Sequence, residues 1–506
     1  MSGFGAIIGR LSDRVNPIVV KELRQAVRSR IVTGIFIFFL VVQFAIVALA
    51  LLLDDSAATS LSAGRSLAVA LYSFMMFVCI LFVPIYSGLR LAWERSDARR
   101  DLMFATTISA GAIVRGKMLT AAMIVALIYS ACAPFMVFTY LLRGIDLPTI
   151  FAMLGLGALY ILGAVQFALF LACIPTSRVA KIFLGLFGLA VILSMVSSTA
   201  ATFGMMMAGP SFFFGGGGPW GYWGAIVSGL ALSALAIGWV HFVSVAILKP
   251  PSANRMLPVR VYVTAVWLVG GVVAVVWSIL ALDGDPIEAW AMISAFFFAG
   301  TLLVAVSERE TWGPRVRRRI PRFLPARAVA FLFFSGGAGG VLWAFSALCL
   351  TDLAVSLAHP ALSPGWDGVP EISAGIALYA LAYALTAGLL RRLVVRLGVR
   401  FPHYYTWVLA LTLATVGSVA PLLVFLVLTY GTSRDWSRLV LEASPLTYPN
   451  PVYLNESAGR GARLVFVGLW AAVVTAASIP WFVRQVRAFR PLRSEPAPAP
   501  DGARHG

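Results

Sequence analysis

IVTGIFIFFLVVQFAIVALALLL, residues 31–53, runs for 23 residues without a charged side chain. At about 1.5 Å per residue, a helix of that length crosses the ~30 Å of hydrocarbon in a bilayer. Apolar runs of similar length follow at residues 67–90, 118–142, 149–174, 181–208, 221–248, 261–282, 288–306, 328–351, 372–390, 404–430 and 463–483. Lipid offers the backbone no hydrogen-bond partner, so such runs must be helices that satisfy themselves. The pattern predicts an all-α polytopic membrane protein with about twelve transmembrane helices. Composition agrees: the chain is 60% hydrophobic and only 12% charged, where soluble domains run near one half and one quarter.

Charge sets the predicted orientation. If the N-terminus lies inside, all but six of the 39 lysines and arginines fall in segments on the inner side, so both termini are predicted to be cytoplasmic. The net charge of +18 then reflects topology and attraction to an anionic inner leaflet. Membrane lipid is an expected partner and nucleic acid is not. Arg10, Arg14, Lys21, Arg24, Arg28 and Arg30 precede the first run without a small-residue cleavage site, so the first span is expected to be retained. Cys79, Cys132, Cys173 and Cys349 fall within apolar runs without metal-like spacing and are expected to be packing residues.

Twelve spans divide into two six-span halves of like orientation at KPPSANRMLPVR, Lys249–Arg260. This gives domains 1–250 and 251–492, and a Pro-Ala-rich tail, 493–506, expected to be a disordered cytoplasmic segment. Each half places Glu-Arg directly after its second span, as Glu94-Arg95 and Glu308-Arg309. In the second half Pro314, Pro321 and Pro325 follow and are expected to interrupt any short docking helix. All acidic and basic residues are expected in loops or near span ends, leaving Gln43, Gln166 and His241 as the notable polar groups inside. An ion-coupled transporter needs ionisable groups at membrane depth.

Ahead of the first span, Asn16-Pro17 is a favourable helix start. The helix from Ile18 to Arg30 sets Val19, Val20, Leu23, Ala26 and Val27 against Lys21, Arg24, Gln25 and Arg28, the pattern of a helix lying on the inner membrane surface. Between the second and third spans stands ERSDARRDLMFATTISAGAIVRGK, Glu94–Lys117. Ser96–Thr107 can form a short helix presenting Leu102, Met103 and Phe104 beside Asp97, Arg99, Arg100 and Asp101, an apolar knob ringed by charges that suits a groove on a partner. Ser109 can cap a second helix running through Ile113 and Gly116-Lys117 into the third span.

The spacing Glu94-Arg95, Asp101-Leu102, Thr106, then Ser109-x-x-x-Ile113-x-x-Gly116-Lys117 resembles the cytoplasmic loop of ABC-2 type transporter permeases. NPIVVKELRQAVRSR resembles the amphipathic elbow before the first span of that family. The resemblance is strongest over residues 1–250. It implies a membrane-spanning permease subunit of an ATP-driven exporter in a bacterial inner membrane, coupled to a separate ABC ATP-binding subunit that carries ATP and Mg. The docking residues it implies are Glu94, Asp97, Arg99, Arg100, Asp101, Leu102, Met103, Phe104, Thr106, Ser109, Ile113 and Lys117, and those of the elbow are Val19, Val20, Leu23, Arg24 and Val27. The family's usual glycine is Ala98 here, its Thr-Leu is Arg99-Arg100 and its proline is Thr107. Pro-punctuated segments at 211–220 and 443–451 resemble the family's external re-entrant helices. If only the first half is ABC-2-like, a second copy of the chain would have to pair with it.

No enzyme signature competes: HExxH and GxSxG are absent, and the chain is expected to be neither an enzyme nor a cofactor binder. Gly111-x-x-x-x-Gly116-Lys117 starts like a phosphate-binding loop, but Met118 stands where magnesium chemistry needs Ser or Thr. Ser335-Gly-Gly-Ala-Gly-Gly340 fits close helix packing in or beside the ninth span. Two other readings are an ion-coupled secondary transporter and a non-transporting scaffold or assembly factor.

Overall fold

The computed structural model describes residues 17–53, 61–94, 109–142, 145–175, 178–208, 218–250, 252–281, 284–362, 369–429 and 457–492. Among them there is no strand, and the chain divides into two compact units, Met1–Lys249 and Pro250–Gly506. Among the described residues, eleven helices are long and apolar enough to cross a membrane. The architecture is that of an all-α, multi-pass membrane protein.

The first unit contains α1 (Pro17–Val27), α2 (Arg30–Leu53), α3 (Leu61–Glu94), α4 (Ala110–Leu141), α5 (Leu147–Cys173), α6 (Arg178–Ala208) and α7 (Gly218–Leu248). α3 is its hub, packing against α2, α4, α5 and α6. The central window of α3 is 56% buried against 11% for α2, so α2 turns most of its aliphatic surface outward. The core joins Leu71, Met75 and Ile80 of α3 to Ile124 and Ile128 of α4 and Ile161 of α5. Cys79, Cys132 and Cys173 lie within it, whereas Cys349 of the second unit is exposed.

Polar side chains inside this unit bond across to neighbouring helices, as an apolar surrounding favours. Gln43 donates to the Leu71 carbonyl at 3.1 Å, Gln166 to the Ser244 hydroxyl at 3.0 Å, and the Tyr72 hydroxyl to the Met153 carbonyl at 2.9 Å. That last bond requires glycine at 157, since a Cβ there would stand 2.5 Å from the Tyr72 oxygen. Pro84 and Pro134 sit inside α3 and α4, where neighbouring helices support the interrupted backbone.

The second unit contains α8 (Leu257–Ala281), α9 (Asp285–Ala305), α10 (Pro314–Arg317), α11 (Leu324–Phe333), α12 (Gly337–Leu362), α13 (Val369–Arg396), a 3-10 turn (His403–Tyr405), α14 (Thr406–Thr429) and α15 (Ser457–Ala488). α13 is the hub, with 72% of its central window buried and contacts to α9, α12, α14 and α15. Phe489, just past α15, inserts between Trp312, Phe331 and Phe334, with ring centroids 5.1, 5.4 and 5.8 Å away.

Three expectations change. Pro314 and Pro325 do not prevent helices; they stand in the first turns of α10 and α11, where a missing N–H costs nothing. The run expected as one span at 328–351 is broken at Phe334–Gly336, so the membrane helix starts at Gly337 and continues to Leu362. That shift carries Asp352 inside a candidate span, Gly337–Ala358, contrary to the expectation that no carboxylate lies there. Of the segment 211–220, residues 218–220 open α7 and the rest lie outside the described residues. Segments 443–451 and 493–506 also lie outside them.

Candidate functional site

α1 begins at Pro17 and buries a single stripe. Val19, Glu22 and Ala26 are 3%, 4% and 0% exposed, the i, i+3, i+7 face of a helix, and they pack toward α4. Val20 and Val27 are exposed, Leu23 is half-buried and Arg24 is exposed. The apolar surface assigned to the elbow is therefore divided: Val19 and Ala26 join the protein interior, and Val20 and Val27 remain for an outer environment. At the centre of the inward stripe stands a carboxylate.

Glu22 is held from two sides. Its Oε2 pairs with Arg90 Nε at 3.0 Å and its Oε1 with Lys117 Nζ at 3.1 Å. The Lys117 ammonium also pairs with Glu94 Oε2 at 2.9 Å. Arg90 donates to the Tyr86 hydroxyl at 2.6 Å and to the side-chain carbonyl of Gln25. Two acids and two bases thus neutralise one another where an isolated ion would be costly. Removing one member of such a buried pair typically costs about 3–5 kcal/mol, although the intact pair adds little over an apolar replacement. The cluster is better suited to fixing geometry than to raising stability.

Its position gives it meaning. Glu94 is the last residue of α3 and Lys117 lies two turns into α4, so the two residues flank segment 95–108 from either side. Ser109 caps α4, its Oγ accepting from the Ala112 N–H at 3.2 Å, and the helix runs unbroken to Leu141. Both bases of the segment are therefore tied to α1 through Glu22.

Among the anticipated site residues, Glu94 and Lys117 are brought together. Lys117 is 3% exposed, which removes it from any contact with a partner and makes it a positioning residue. Ile113 is half-buried against the core, and Ser109 is an exposed cap. Asp97, Arg99, Arg100, Asp101, Leu102, Met103, Phe104 and Thr106 lie outside the described residues. Glu22, Gln25, Tyr86 and Arg90 complete the cluster without having been anticipated as site residues. One signal was available for Glu22: it is the only acid in α1 and lies three residues from Val19 and four from Ala26.

The second unit has its own charged centre at the end of its second long helix. Arg260, 2% exposed, pairs with Glu308 at 2.5 Å and donates to the carbonyls of Leu332 and Phe334 at 2.7 and 2.6 Å. Glu308 Oε2 accepts from the Gly336 N–H at 2.8 Å. Asn254 accepts from both the Ser335 N–H and its hydroxyl, at 3.0 and 2.9 Å. A Cβ at Gly339 would run into the Phe331 carbonyl oxygen, and one at Gly340 would stand 2.5 Å from Arg260. The glycines between 335 and 340 admit this fold-back and the buried guanidinium.

Among the described residues no group of three or more His, Cys, Asp or Glu side chains could hold a metal ion. The fold and its charged helix ends define a helical multi-pass membrane protein. Comparison with protein-family models, curated proteins and solved structures finds no match to this chain.

Proposed function

We propose that this protein is the permease subunit of an ATP-driven, ABC-2-like exporter in a bacterial inner membrane, with two six-span halves and both termini cytoplasmic. A separate ATP-binding subunit would dock on segment 95–108 and supply the energy. The observation that carries the reading is the Glu22–Arg90–Lys117–Glu94 cluster. It ties the elbow helix to both ends of the segment that resembles the family's docking loop. α4 continues rigidly from the Ser109 cap into a membrane span, so a displacement at the loop would be passed into the membrane, as alternating access requires.

The test is co-purification of ATP-hydrolysing activity with the tagged chain from its native membrane, before and after Leu102→Asp with Phe104→Asp. The paired substitution is expected to abolish co-purification while leaving membrane insertion and helicity unchanged. Retained co-purification would remove the docking assignment.

A second reading, an ion-coupled transporter, draws on Asp352. Its carboxylate lies inside α12 and accepts from the Ser373 hydroxyl of α13 at 2.6 Å, and intramembrane acids commonly mark ion paths. Transport driven by a proton or sodium gradient in vesicles lacking the ATPase would decide for it.

A further inference from the structure

At the end of the first unit that bears segment 95–108, the last turns of α3, the end of α5 and the first turns of α6 line an open-sided cavity of about 670 Å³. That lies within the roughly 300–1,000 Å³ range of small-molecule sites. Its walls are largely aliphatic, and among its described lining residues only Lys181 carries a charge. The lining on α6 runs from Lys181 to Ile192, which at 1.5 Å per residue is about 16 Å. One leaflet of a bilayer holds about 15 Å of hydrocarbon.

The two ends differ chemically. At the rim stand Lys181, in the first turn of α6, and Trp93, 70% exposed in the last turn of α3; these residue types settle at the headgroup level. Further along the lining, Gly185 has nothing within 4 Å of where its Cβ would be, and at Gly88 a Cβ would stand 3.2 Å from that of Ala168, so α3 and α5 approach closely there. The lysine is a mobile point charge suited to a phosphate, and the positive end of α6 adds to it.

We propose that this cavity binds one anionic phospholipid from the leaflet facing segment 95–108, with an acyl chain along α6 and the phosphate paired with Lys181. The site rests on the multi-pass architecture and on no ATPase, so it fails or stands apart from the proposed function.

The experiment places the full chain in phosphatidylcholine nanodiscs and compares the immobilised fraction of chain-spin-labelled phosphatidylglycerol with that of labelled phosphatidylcholine. The wild type is expected to favour phosphatidylglycerol about fivefold, the value of one cation near an anionic headgroup. Lys181→Glu is expected to lower that preference severalfold and Lys181→Arg to keep it. Gly185→Phe, which fills the floor, is expected to remove the immobilised phosphatidylglycerol. Lys181 is exposed, so its variants decide the matter even if Gly185→Phe does not fold. Equal immobilisation of both lipids by the wild type, or a preference unchanged by Lys181→Glu, would overturn the proposal. So would a change of oligomeric state in Gly185→Phe without a change in lipid, which would assign the cavity to a second copy of the chain.

Discussion

Both units put an acid at the end of their second long helix and a buried ion pair around it, yet the two are built differently. In the first unit Glu94, Lys117, Glu22 and Arg90 hold one another through side chains alone. In the second, Arg260 and Glu308 grip the backbone of residues 332–336 as well as each other. Long side chains can release and re-form as helix ends move, whereas a guanidinium bonded to two carbonyls and a carboxylate fixes a turn in place. The first arrangement suits a joint and the second a staple. The bulky, proline-started α10 and α11 that follow Glu308 have no counterpart among the described residues of the first unit.

The largest expected effect is at the staple. Arg260→Met leaves Glu308 without its cation and two carbonyls without their donor. Truncating one side of such a network costs about 3–5 kcal/mol, and apparent Tm in detergent is expected to fall by about 10 °C. Arg260→Lys should recover little, since an ammonium cannot reproduce the planar fork. A Tm within about 2 °C of wild type for Arg260→Met, under 1 kcal/mol on the same scale, would break the distinction between the two units.

A smaller loss is expected at the joint, where Glu22 and Lys117 each have two ionic partners. Glu22→Gln leaves Lys117 to Glu94, and Lys117→Met leaves Glu22 to Arg90, so each is expected to cost about 1–3 kcal/mol. The double variant should cost less than the sum of the singles, by about 1–2 kcal/mol. Hydrogen exchange should locate the effect, with the amides of α1 exchanging faster in Glu22→Gln and those of α13 unchanged. Additive losses, or faster exchange everywhere, would mean that α1 is not held through this pair.

How much of this was legible beforehand varies with what each feature depends on. Spans are local: hydropathy alone places most long helices, and Pro17 and Ser109 mark two starts through their own backbone chemistry. The ninth span was misplaced because the break at 334–336 is imposed by Arg260 and Asn254, more than 70 residues earlier in the chain. Asp352 was misplaced by the same error. Glu22 shares the face of Val19 and Ala26 in the sequence, but a carboxylate among basic neighbours reads equally as part of a solvated face, and packing against α4 decides that it points inward. Arg90 closes the apolar run 67–90, and its two partners on α1, Glu22 and Gln25, are far away in sequence.

The smallest effect is expected at Glu94, and it tests the comparison most directly. Its side chain is 30% exposed against 5% for Glu22, and Lys117 retains Glu22 when Glu94 lets go. A partly exposed pair of this kind contributes about 0–1 kcal/mol, so Glu94→Gln is expected to leave apparent Tm nearly unchanged while the equivalent change at Glu308 lowers it clearly. The asymmetry has a physical source: Glu308 Oε2 also accepts from a backbone N–H, and no backbone bond of that kind is needed to hold Glu94 to Lys117. A loop end held by one exposed ion pair can detach without disturbing the buried Glu22–Lys117 pair behind it. If Glu94→Gln destabilises as much as Glu22→Gln, the end of α3 is locked as firmly as the end of α9, and the first unit has no joint at that position.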